Sequence, residues 1–247
     1  MPLDDREEDI LKMLSYNENT SIKELSKKLF ISEPTVRRDL TSLERKGKVI
    51  RTHGGVILKP LALDENLPLY IREREHNDEK ILIAKKAVSL IKDGNLIMLD
   101  SSTSSLSIIP HLKDFKEIIV VTNSAKASVM LGELKIKNYC TGGQLINNSL
   151  AFVGSHAEKY LKSFNADICF ISVRTLTLDG NLTDNAVEEN NIRKIMLSVS
   201  RKKVLLLDTQ KIGEPCIHNL CTVDDITDIV SEKKFSKSVY TGKANLW

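Results

Sequence analysis

The 247-residue sequence lacks the features that mark several classes of protein. No apolar run approaches the length that a bilayer-spanning helix needs. Acidic residues crowd the first nine positions, whereas a secretory signal peptide begins with basic ones. From these absences we expect a cytoplasmic protein that does not contact membranes.

Cysteine is scarce and is not arranged as in a zinc site. The four cysteines are Cys140, Cys169, Cys216 and Cys221. Only the last two lie close together, with His218 between them, and the paired short spacings of zinc ligands are absent. Reduced thiols explain this pattern better than a metal site, and we expect neither a metal nor a cofactor.

The net charge is small but unevenly distributed. A formal charge of +3 is too low to identify the whole chain as a nucleic-acid binder. Between Ser21 and Lys59, however, ten basic residues face four acidic ones, a local charge of +6 that leaves −3 elsewhere. A basic segment on a near-neutral body is typical of a DNA-reading module joined to a second domain.

The basic segment contains a predicted helix that suits the DNA major groove. Ser32 can cap its N-terminus, and Pro34 fits its first turn. Apolar residues recur at helical spacing: Val36, Leu40 and Leu43. Polar residues leave that face and point outward: Thr35, Arg37 and Arg38. Arginine can bond guanine edges and a threonine methyl can contact thymine, although an ordinary solvated helix would show the same pattern.

Two more helices and a hairpin are predicted around this helix. One helix starts near Asp4, a second follows Ser21 as its cap, and Gly47 ends the third. Residues 48–56 then read as a hairpin, or wing, with glycines at its bend. Arg51 and His53 could reach phosphates or the minor groove, but a solvated loop histidine is an equally plain interpretation of His53.

The run at residues 31–40, with 43–44, 47 and 51–56, resembles the winged helix-turn-helix of the DeoR family of bacterial transcriptional regulators. The match spans residues 6–57. It implies binding to double-stranded operator DNA, with the recognition helix carrying Thr35, Arg37 and Arg38. We expect DNA contacts from Ser32, Thr35, Arg37, Arg38, Arg51 and His53. Asp39 is expected to orient an arginine or the helix, because a carboxylate facing phosphates would repel them.

From Asn77 the pattern changes to helices alternating with short apolar strands. The predicted strands are residues 96–99, 118–121, 136–140, 168–171, 204–207 and 228–230. The predicted helices begin at Asn77 and cover residues 105–112, 125–134, 155–162 and 186–200. This alternation favours a parallel α/β sheet with both faces covered. We therefore predict an α/β chain with a winged helix-turn-helix at residues 1–58, a linker at 59–75 and a Rossmann-like domain at 76–247.

Polar clusters follow four of these strands, at residues 100–105, 122–124, 141–143 and 208–211. Ligands of open α/β sheets bind beyond those strand ends, where hydroxyls and backbone N–H groups can hold a phosphate. Lys211 would supply a cation, although turn chemistry alone also favours such residues. The expected effector-binding residues are Asp100, Ser101, Ser102, Thr103, Ser104, Asn123, Gly142, Gly143, Arg174 and Lys211.

These stretches also resemble the DeoR-type sensor domain, which is similar in fold to ribose-5-phosphate isomerase. The resemblance implies a repressor of sugar-metabolism genes that responds to a phosphorylated sugar and forms a homo-oligomer, a dimer or tetramer. Ser102 and Ser172 stand where the family has glycine. Arg174 could clamp a phosphate or fill the pocket, so a regulator with a decayed pocket is a further alternative.

The rival interpretation is a sugar-phosphate isomerase-like enzyme with an accessory DNA-binding domain. Asp100, Glu188 and Lys211 could in principle transfer protons. Glu188 could also reach a sugar hydroxyl, whereas Glu189 is interpreted as a favourable first-turn acid. Because no nucleophile–base pair is evident, we predict no catalytic residues.

Overall fold

The computed structural model describes residues 3–14, 20–52, 55–58, 69–233 and 243–247. The chain divides into two compact units, Met1–Glu75 and His76–Trp247. The helices of the first unit are α1 (Leu3–Leu14), α2 (Ile22–Leu29), α3 (Glu33–Arg45) and α4 (Leu69–Arg74). Its strands are β1 (Val49–Thr52) and β2 (Gly55–Leu58).

Local capping defines the helix-turn-helix of the first unit. Ser21 and Glu24 form a reciprocal capping box at the start of α2, which satisfies two backbone donors. Phe30 ends α2 in a left-handed conformation with φ 54°. Ser32 then caps α3 by accepting a hydrogen bond from the Thr35 backbone.

The helices and the β1–β2 hairpin enclose one apolar core. The buried residues from α3 include the three that helical spacing predicts, Val36, Leu40 and Leu43. The antiparallel pairing of β1 with β2 matches the predicted wing, although His53 and Gly54 lie outside the described residues. Ile71 of α4 is buried in this core. The end of the segment expected to be a linker is therefore a packed helix of the first unit, while residues 59–68 lie outside the described part.

The second unit is an α/β unit. Its helices are α5 (Asn77–Ala87), α6 (Thr103–Leu106), α7 (Ala125–Glu133), α8 (Ser155–Leu161) and α9 (Val187–Ser198). Short 3-10 helices cover Val88–Leu90, Ile109–Asp114, Thr209–Lys211 and Val223–Asp225. The strands up to β9 are β3 (Leu96–Leu99), β4 (Ile119–Thr122), β5 (Asn138–Cys140), β6 (Gln144–Ile146), β7 (Ala151–Val153), β8 (Ala166–Ile171) and β9 (Thr175–Leu176). The remaining strands are β10 (Asn181–Asp184), β11 (Ser200–Leu207), β12 (His218–Thr222), β13 (Asp228–Ser231) and β14 (Asn245–Leu246).

A seven-stranded sheet forms the centre of this unit, in the order β14-β13-β11-β8-β3-β4-β5. Every pairing in it is parallel, so the carboxyl ends of the strands share one edge. The inner strands β13, β8, β3 and β4 are largely buried, as in a parallel sheet covered on both faces, whereas the edge strands β5 and β14 are partly exposed. The predicted parallel α/β fold is confirmed, and each predicted strand corresponds to one of the seven.

The sequence patterns missed the smaller sheets. Three strands, β12-β10-β9, form an antiparallel sheet, and β6 pairs with β7. These strands have two to five residues and include polar stretches such as Asn-Leu-Thr-Asp in β10, so neither alternation nor an apolar run identifies them. The helix predicted at 105–112 is instead α6 followed by a 3-10 helix with Pro110 in its first turn.

Candidate DNA-reading helix and effector site

The outward face of α3 presents arginines to solvent. Arg37 and Arg38 are exposed, while Thr35 is half-buried and its hydroxyl lies 2.9 Å from the Ser32 hydroxyl. The Arg37 guanidinium lies 3.9 Å from Glu33. Ser32 and Thr35 therefore serve the helix start in this structure, and the two arginines project from it.

Asp39 lies on the inner side of α3 and is fully buried. Its carboxylate accepts hydrogen bonds from Nε and Nη2 of Arg6 at 2.9 and 3.2 Å. This two-point contact fixes α1 against α3. The prediction that Asp39 orients an arginine is confirmed.

Arg51 of the wing contacts α3 rather than projecting away from the protein. Its Nη2 donates to the Arg37 carbonyl at 3.1 Å and to the Thr41 hydroxyl, and its Nε lies 3.2 Å from Glu44. The side chain is thus engaged within the protein while it stays exposed, and its contact with DNA stays a prediction. Arg51 holds the wing against the recognition helix because the chain turn at Gly47 brings β1 back alongside α3.

The serine-rich loop after β3 lies at the carboxyl edge of the parallel sheet, as predicted. All five of its expected effector residues are buried: Asp100, Ser101, Ser102, Thr103 and Ser104. Asn123 follows β4 and is also buried, whereas Gly142 is half-buried and Gly143 is exposed after β5. Because β3, β4 and β5 are neighbours, these residues lie along one rim.

Asp100 is an internal support of this loop. Its Oδ1 accepts hydrogen bonds from the Ser102 backbone at 3.1 Å and from the hydroxyls of Ser102 and Ser105 at 2.6 Å each. Its Oδ2 accepts from the Ser172 backbone at 3.2 Å and from Arg193 Nε at 3.0 Å. Five donors satisfy both oxygens, so the structure shows Asp100 shaping the loop, where the sequence suggested direct contact with a ligand or proton transfer.

Sequence analysis missed the buried arginine that joins this loop to α9. Beside Asp100, Arg193 donates to Asp184 at 2.9 Å, to Asn190 at 3.0 Å and to Glu189 at 3.3 Å. Glu189 also accepts from the Ser101 hydroxyl at 3.1 Å. Glu189 does lie in the first turn of α9, as interpreted, and its carboxylate in addition pairs with Arg193, whereas Glu188 is exposed. The i, i+4 spacing of Glu189 and Arg193 on a helix was the available signal.

Electrostatic attraction keeps Arg193 and Asp184 of this network ionised. Desolvation works against the charged forms of both Arg193 and Asp184. The three carboxylates nevertheless raise the pKa of Arg193 above its ordinary value. For Asp184, the opposing effects of Arg193 and the Ala186 backbone N–H outweigh desolvation, and its pKa lies below its ordinary value. Arg193 and Asp184 are therefore both charged at neutral pH.

Lys211 reaches the same region from the segment after β11. Its ammonium donates to the Ser172 hydroxyl at 2.9 Å and to no other described residue. Desolvation lowers the pKa of Lys211 to about 8, against the opposing attraction of Asp208, Asp184 and Asp100. An ammonium carries three donors, so two remain for a ligand.

Four buried polar atoms around this rim have no hydrogen-bond partner among the described residues. They are Ser104 Oγ, Asn123 Oδ1, Thr141 Oγ1 and Asn190 Nδ2. The first three follow β3, β4 and β5 in turn. An unsatisfied buried polar group costs about 1–3 kcal/mol, so several together indicate a place where another molecule supplies the missing partners.

Gly143 is constrained by its surroundings. Its φ is +113°, and a Cβ placed there would lie 2.7 Å from the Val153 carbonyl oxygen. We expect Gly143→Ala to lower the free energy of unfolding by about 1–3 kcal/mol, since both strain and a backbone clash oppose it. Chemical denaturation would measure this loss, with Gly132→Ala, which meets nothing within 4 Å, as control. Equal stability of the two variants would contradict the expectation.

Arg174 is the last of the predicted effector residues. Arg174 is half-buried, and its charge helps to lower the pKa of Asp184.

Within the described ranges, no group of three or more His, Cys, Asp or Glu residues is placed to hold a metal. Among the described helices, none is both long and apolar enough to cross a membrane.

Family models match both units of the chain. Residues 6–59 match the DeoR-like helix-turn-helix domain, and residues 75–233 match the DeoR C terminal sensor domain, more than half of the chain. The chain belongs to the DeoR family. It is therefore a DNA-binding transcriptional regulator and not an enzyme.

Named relatives of this DeoR-family regulator cover most of its length. The lactose phosphotransferase system repressor of Lactococcus lactis is 36% identical, over 83% of this chain and 82% of its own. The HTH-type transcriptional regulator GolR of Listeria innocua is 29% identical, over 96% of this chain and 93% of its own. Both relatives are similar to this chain in sequence, and each match covers more than four fifths of both proteins.

Two solved structures are similar to part of this regulator. The tetrameric eIF2B-beta2-delta2 complex from C. thermophilum matches with a TM-score of 0.50 and 14% identity, over 64% of this chain and 56% of that chain. Ribose 5-phosphate isomerase A from Methanocaldococcus jannaschii matches with a TM-score of 0.43 and 19% identity, over 56% of this chain and 55% of that chain. The likeness to the eIF2B complex concerns the fold alone.

Proposed function

We propose that this DeoR-family regulator represses genes of sugar metabolism and responds to a phosphorylated sugar bound at the carboxyl edge of its parallel sheet. The observation that carries the proposal is the row of polar atoms at the ends of β3, β4 and β5 that find no partner in the described part of the chain. The relative named as a lactose phosphotransferase system repressor supports the link to sugars. We propose that the regulator binds its operator in the cytoplasm.

The two asparagines at the rim have defined orientations that suit a hydroxylated ligand. Asn123 donates its amide to the Phe152 carbonyl at 3.1 Å, which leaves Oδ1 as an acceptor. The oxygen of Asn190 accepts from Arg193, which leaves Nδ2 as a donor. Oδ1 cannot bond a phosphate oxygen, because both are acceptors, so a sugar hydroxyl is its fitting partner. Phosphate oxygens fit Lys211 and the serine loop.

Effector binding has to favour one arrangement of the DNA-binding units, because a ligand that binds two states equally shifts neither. We propose a homo-oligomer, at least a dimer, since helix-turn-helix proteins read paired half-sites by pairing their recognition helices. Ser32, Thr35, Arg37 and Arg38 lie at the proposed operator contact. His53 stays a candidate outside the described residues.

Arg38 provides the test of operator recognition. We expect Arg38→Ala to weaken binding to an operator selected from a random-sequence pool by about 1–3 kcal/mol, because a bidentate base contact is lost. Fluorescence anisotropy would compare this operator with a mixed-sequence duplex. Loss of the preference for the operator supports the assignment, while an unchanged preference removes Arg38 from the base contacts. Failure of the wild-type protein to select any sequence would refute the proposed function.

A further inference from the structure

The charges at the carboxyl edge of the parallel sheet do not cancel. Besides the three buried carboxylates that share Arg193, the buried Asp208 attracts Lys211. The cations that act on these carboxylates are Arg193, Lys211 and, through its effect on Asp184, Arg174. With histidine counted as neutral, four formal negative charges therefore meet three positive ones among the described residues. The rim carries a formal net charge of −1 before any ligand binds.

Glu189 is the carboxylate of this network that keeps an unused oxygen. Its Oε2 accepts hydrogen bonds from the Ser101 hydroxyl and from Arg193. Its Oε1 accepts none from the described residues, although the side chain is only 9% exposed. Both oxygens of Asp100 and both of Asp184 are, in contrast, occupied by donors. Glu189 therefore retains an acceptor for a ligand in a largely desolvated place.

Two neighbours of Glu189 also wait for a partner. Asn190, the next residue of α9, has a buried Nδ2 that finds no acceptor in the described ranges. The hydroxyl of Ser104, in the loop after β3, is buried and likewise without a partner there. The hydrogen bond from Ser101 to Glu189 joins this loop to the start of α9. Buried polar groups are normally satisfied, so these atoms indicate independently that a ligand binds beside Glu189.

The charge balance decides which kind of donor suits Glu189. A carboxylate oxygen only accepts hydrogen bonds, so the ligand group that meets it is a hydroxyl or an ammonium. A phosphate adds a further charge of about −1.5 to −2 to a rim that is already negative. An ammonium offsets that charge, and its hydrogen bond to a carboxylate is about twice as strong as one between neutral groups. The rim therefore favours a ligand that carries a cation as well as a phosphate.

We infer that the effector is an aminosugar phosphate, with its phosphate at Lys211 and its protonated amine at Glu189. The inference rests on the proposed function, because it specifies which sugar the same rim binds. Lys211 then provides affinity for any phosphorylated sugar, whereas Glu189 provides the preference for the amine. Asn123 keeps its role as the acceptor for a sugar hydroxyl.

Three ligands that differ at one position test this inference on the full chain. Glucosamine 6-phosphate carries the amine, glucose 6-phosphate a hydroxyl, and N-acetylglucosamine 6-phosphate a neutral amide. The corresponding galactose series covers the other configuration of the ring. Thermal shift ranks the ligands, and titration calorimetry measures the Kd of those that bind. We expect an aminosugar phosphate to bind with a Kd about tenfold lower than its hydroxyl counterpart, because a hydrogen bond between charged groups contributes more than one with a neutral donor.

Glu189→Gln removes the charge and keeps the shape of the side chain. Its amide oxygen can still accept from Ser101 and Arg193. We expect this variant to lose the preference for the amine and to retain binding of the hydroxyl compound. Glu133→Gln is the matched control, because it removes one carboxylate from the exposed end of α7 and is expected to keep the preference. Each shift is measured against the same variant without ligand, so a change in stability does not enter the comparison.

The outcomes separate this inference from the proposed function. If the wild-type protein binds a hydroxyl or N-acetyl compound as tightly as the amine, the inference is overturned and the phosphorylated-sugar effector stands. A preference for the amine that survives in Glu189→Gln overturns the assignment to Glu189. Absence of a shift with every phosphorylated sugar counts against both. If Glu189→Gln does not fold, the comparison of the three ligands on the wild-type protein still decides the inference.

Discussion

Replacing Arg193 with methionine is expected to lower the free energy of unfolding of the second unit by about 3–5 kcal/mol. The substitution leaves Asp100, Asp184 and Glu189 buried without the guanidinium that each now contacts. Methionine fills similar volume, so the loss reflects uncompensated charge more than a cavity. The only tryptophan, Trp247, donates to Asp228 at 2.8 Å in this unit, so its fluorescence can follow urea unfolding there.

Two controls make the Arg193 result specific. Arg201→Met removes an exposed arginine and is expected to change stability by less than about 0.5 kcal/mol. Adding Asp184→Asn to Arg193→Met is expected to recover part of the loss, because one unpaired carboxylate disappears. If Arg193→Met is as stable as the wild type, or if the double variant recovers no stability, then Arg193 does not stabilise this unit by pairing with the buried carboxylates.

The same network gives a dependence on pH with a defined sign. The pKa of Asp184 is lower in the folded protein than its ordinary value. Its stabilising contribution is therefore complete above about pH 4 and is lost as the pH falls through the folded pKa. Arg193→Met removes that contribution, so the difference in stability between variant and wild type is expected to shrink below about pH 4.

Replacing Lys211 with methionine is expected to weaken binding of a phosphorylated sugar by about 2–5 kcal/mol, the usual effect of deleting one partner of a desolvated charge pair. This corresponds to a change in Kd of about 30-fold to 5,000-fold. Two of the three ammonium donors have no described partner, and desolvation strengthens their attraction to an anionic oxygen. Operator affinity without effector is expected to stay unchanged.

The effector is unidentified, so the measurement is a thermal-shift screen of hexose and pentose phosphates, each beside its unphosphorylated parent. A ligand that binds only the folded state raises stability by about 2.7 kcal/mol at a hundredfold excess over Kd. A shift specific to one phosphorylated sugar, lost in Lys211→Met, is the expected result. An equal shift in both proteins would exclude Lys211 from the site, and no shift with any compound would favour the decayed pocket.

The pH dependence of effector binding provides an independent check on the role of Lys211. Its pKa of about 8 means that the ammonium loses its proton just above neutral pH. Effector affinity of the wild-type protein is expected to fall as the pH rises through about 8, because the neutral amine no longer attracts phosphate. Lys211→Arg keeps its charge, so the fall is expected to disappear. A wild-type affinity that stays constant to pH 9 would contradict this assignment.

The sequence by itself determined the elements that depend on local chemistry. Ser21, Ser32 and Pro34 mark helix starts through their own backbone preferences, and the spacing of Val36, Leu40 and Leu43 defines the buried face of α3. The apolar strand runs likewise predicted a parallel sheet whose carboxyl ends carry the polar loops. These signals extend over a few residues, so one chain segment contains all the information they need.

Tertiary structure decided which polar residues act together. Arg193 meets Asp100 across 93 positions of sequence, and Arg51 meets Arg37 across 14. The i, i+4 spacing of Glu189 and Arg193 does not by itself tell a buried arginine from one that faces solvent, so sequence patterns assigned Asp100 to the ligand. The DNA contact of Arg51 stays a prediction. Folding of the sheet and wing brings these groups together. For Arg193 burial then makes the pairing necessary, because an isolated buried charge is too costly.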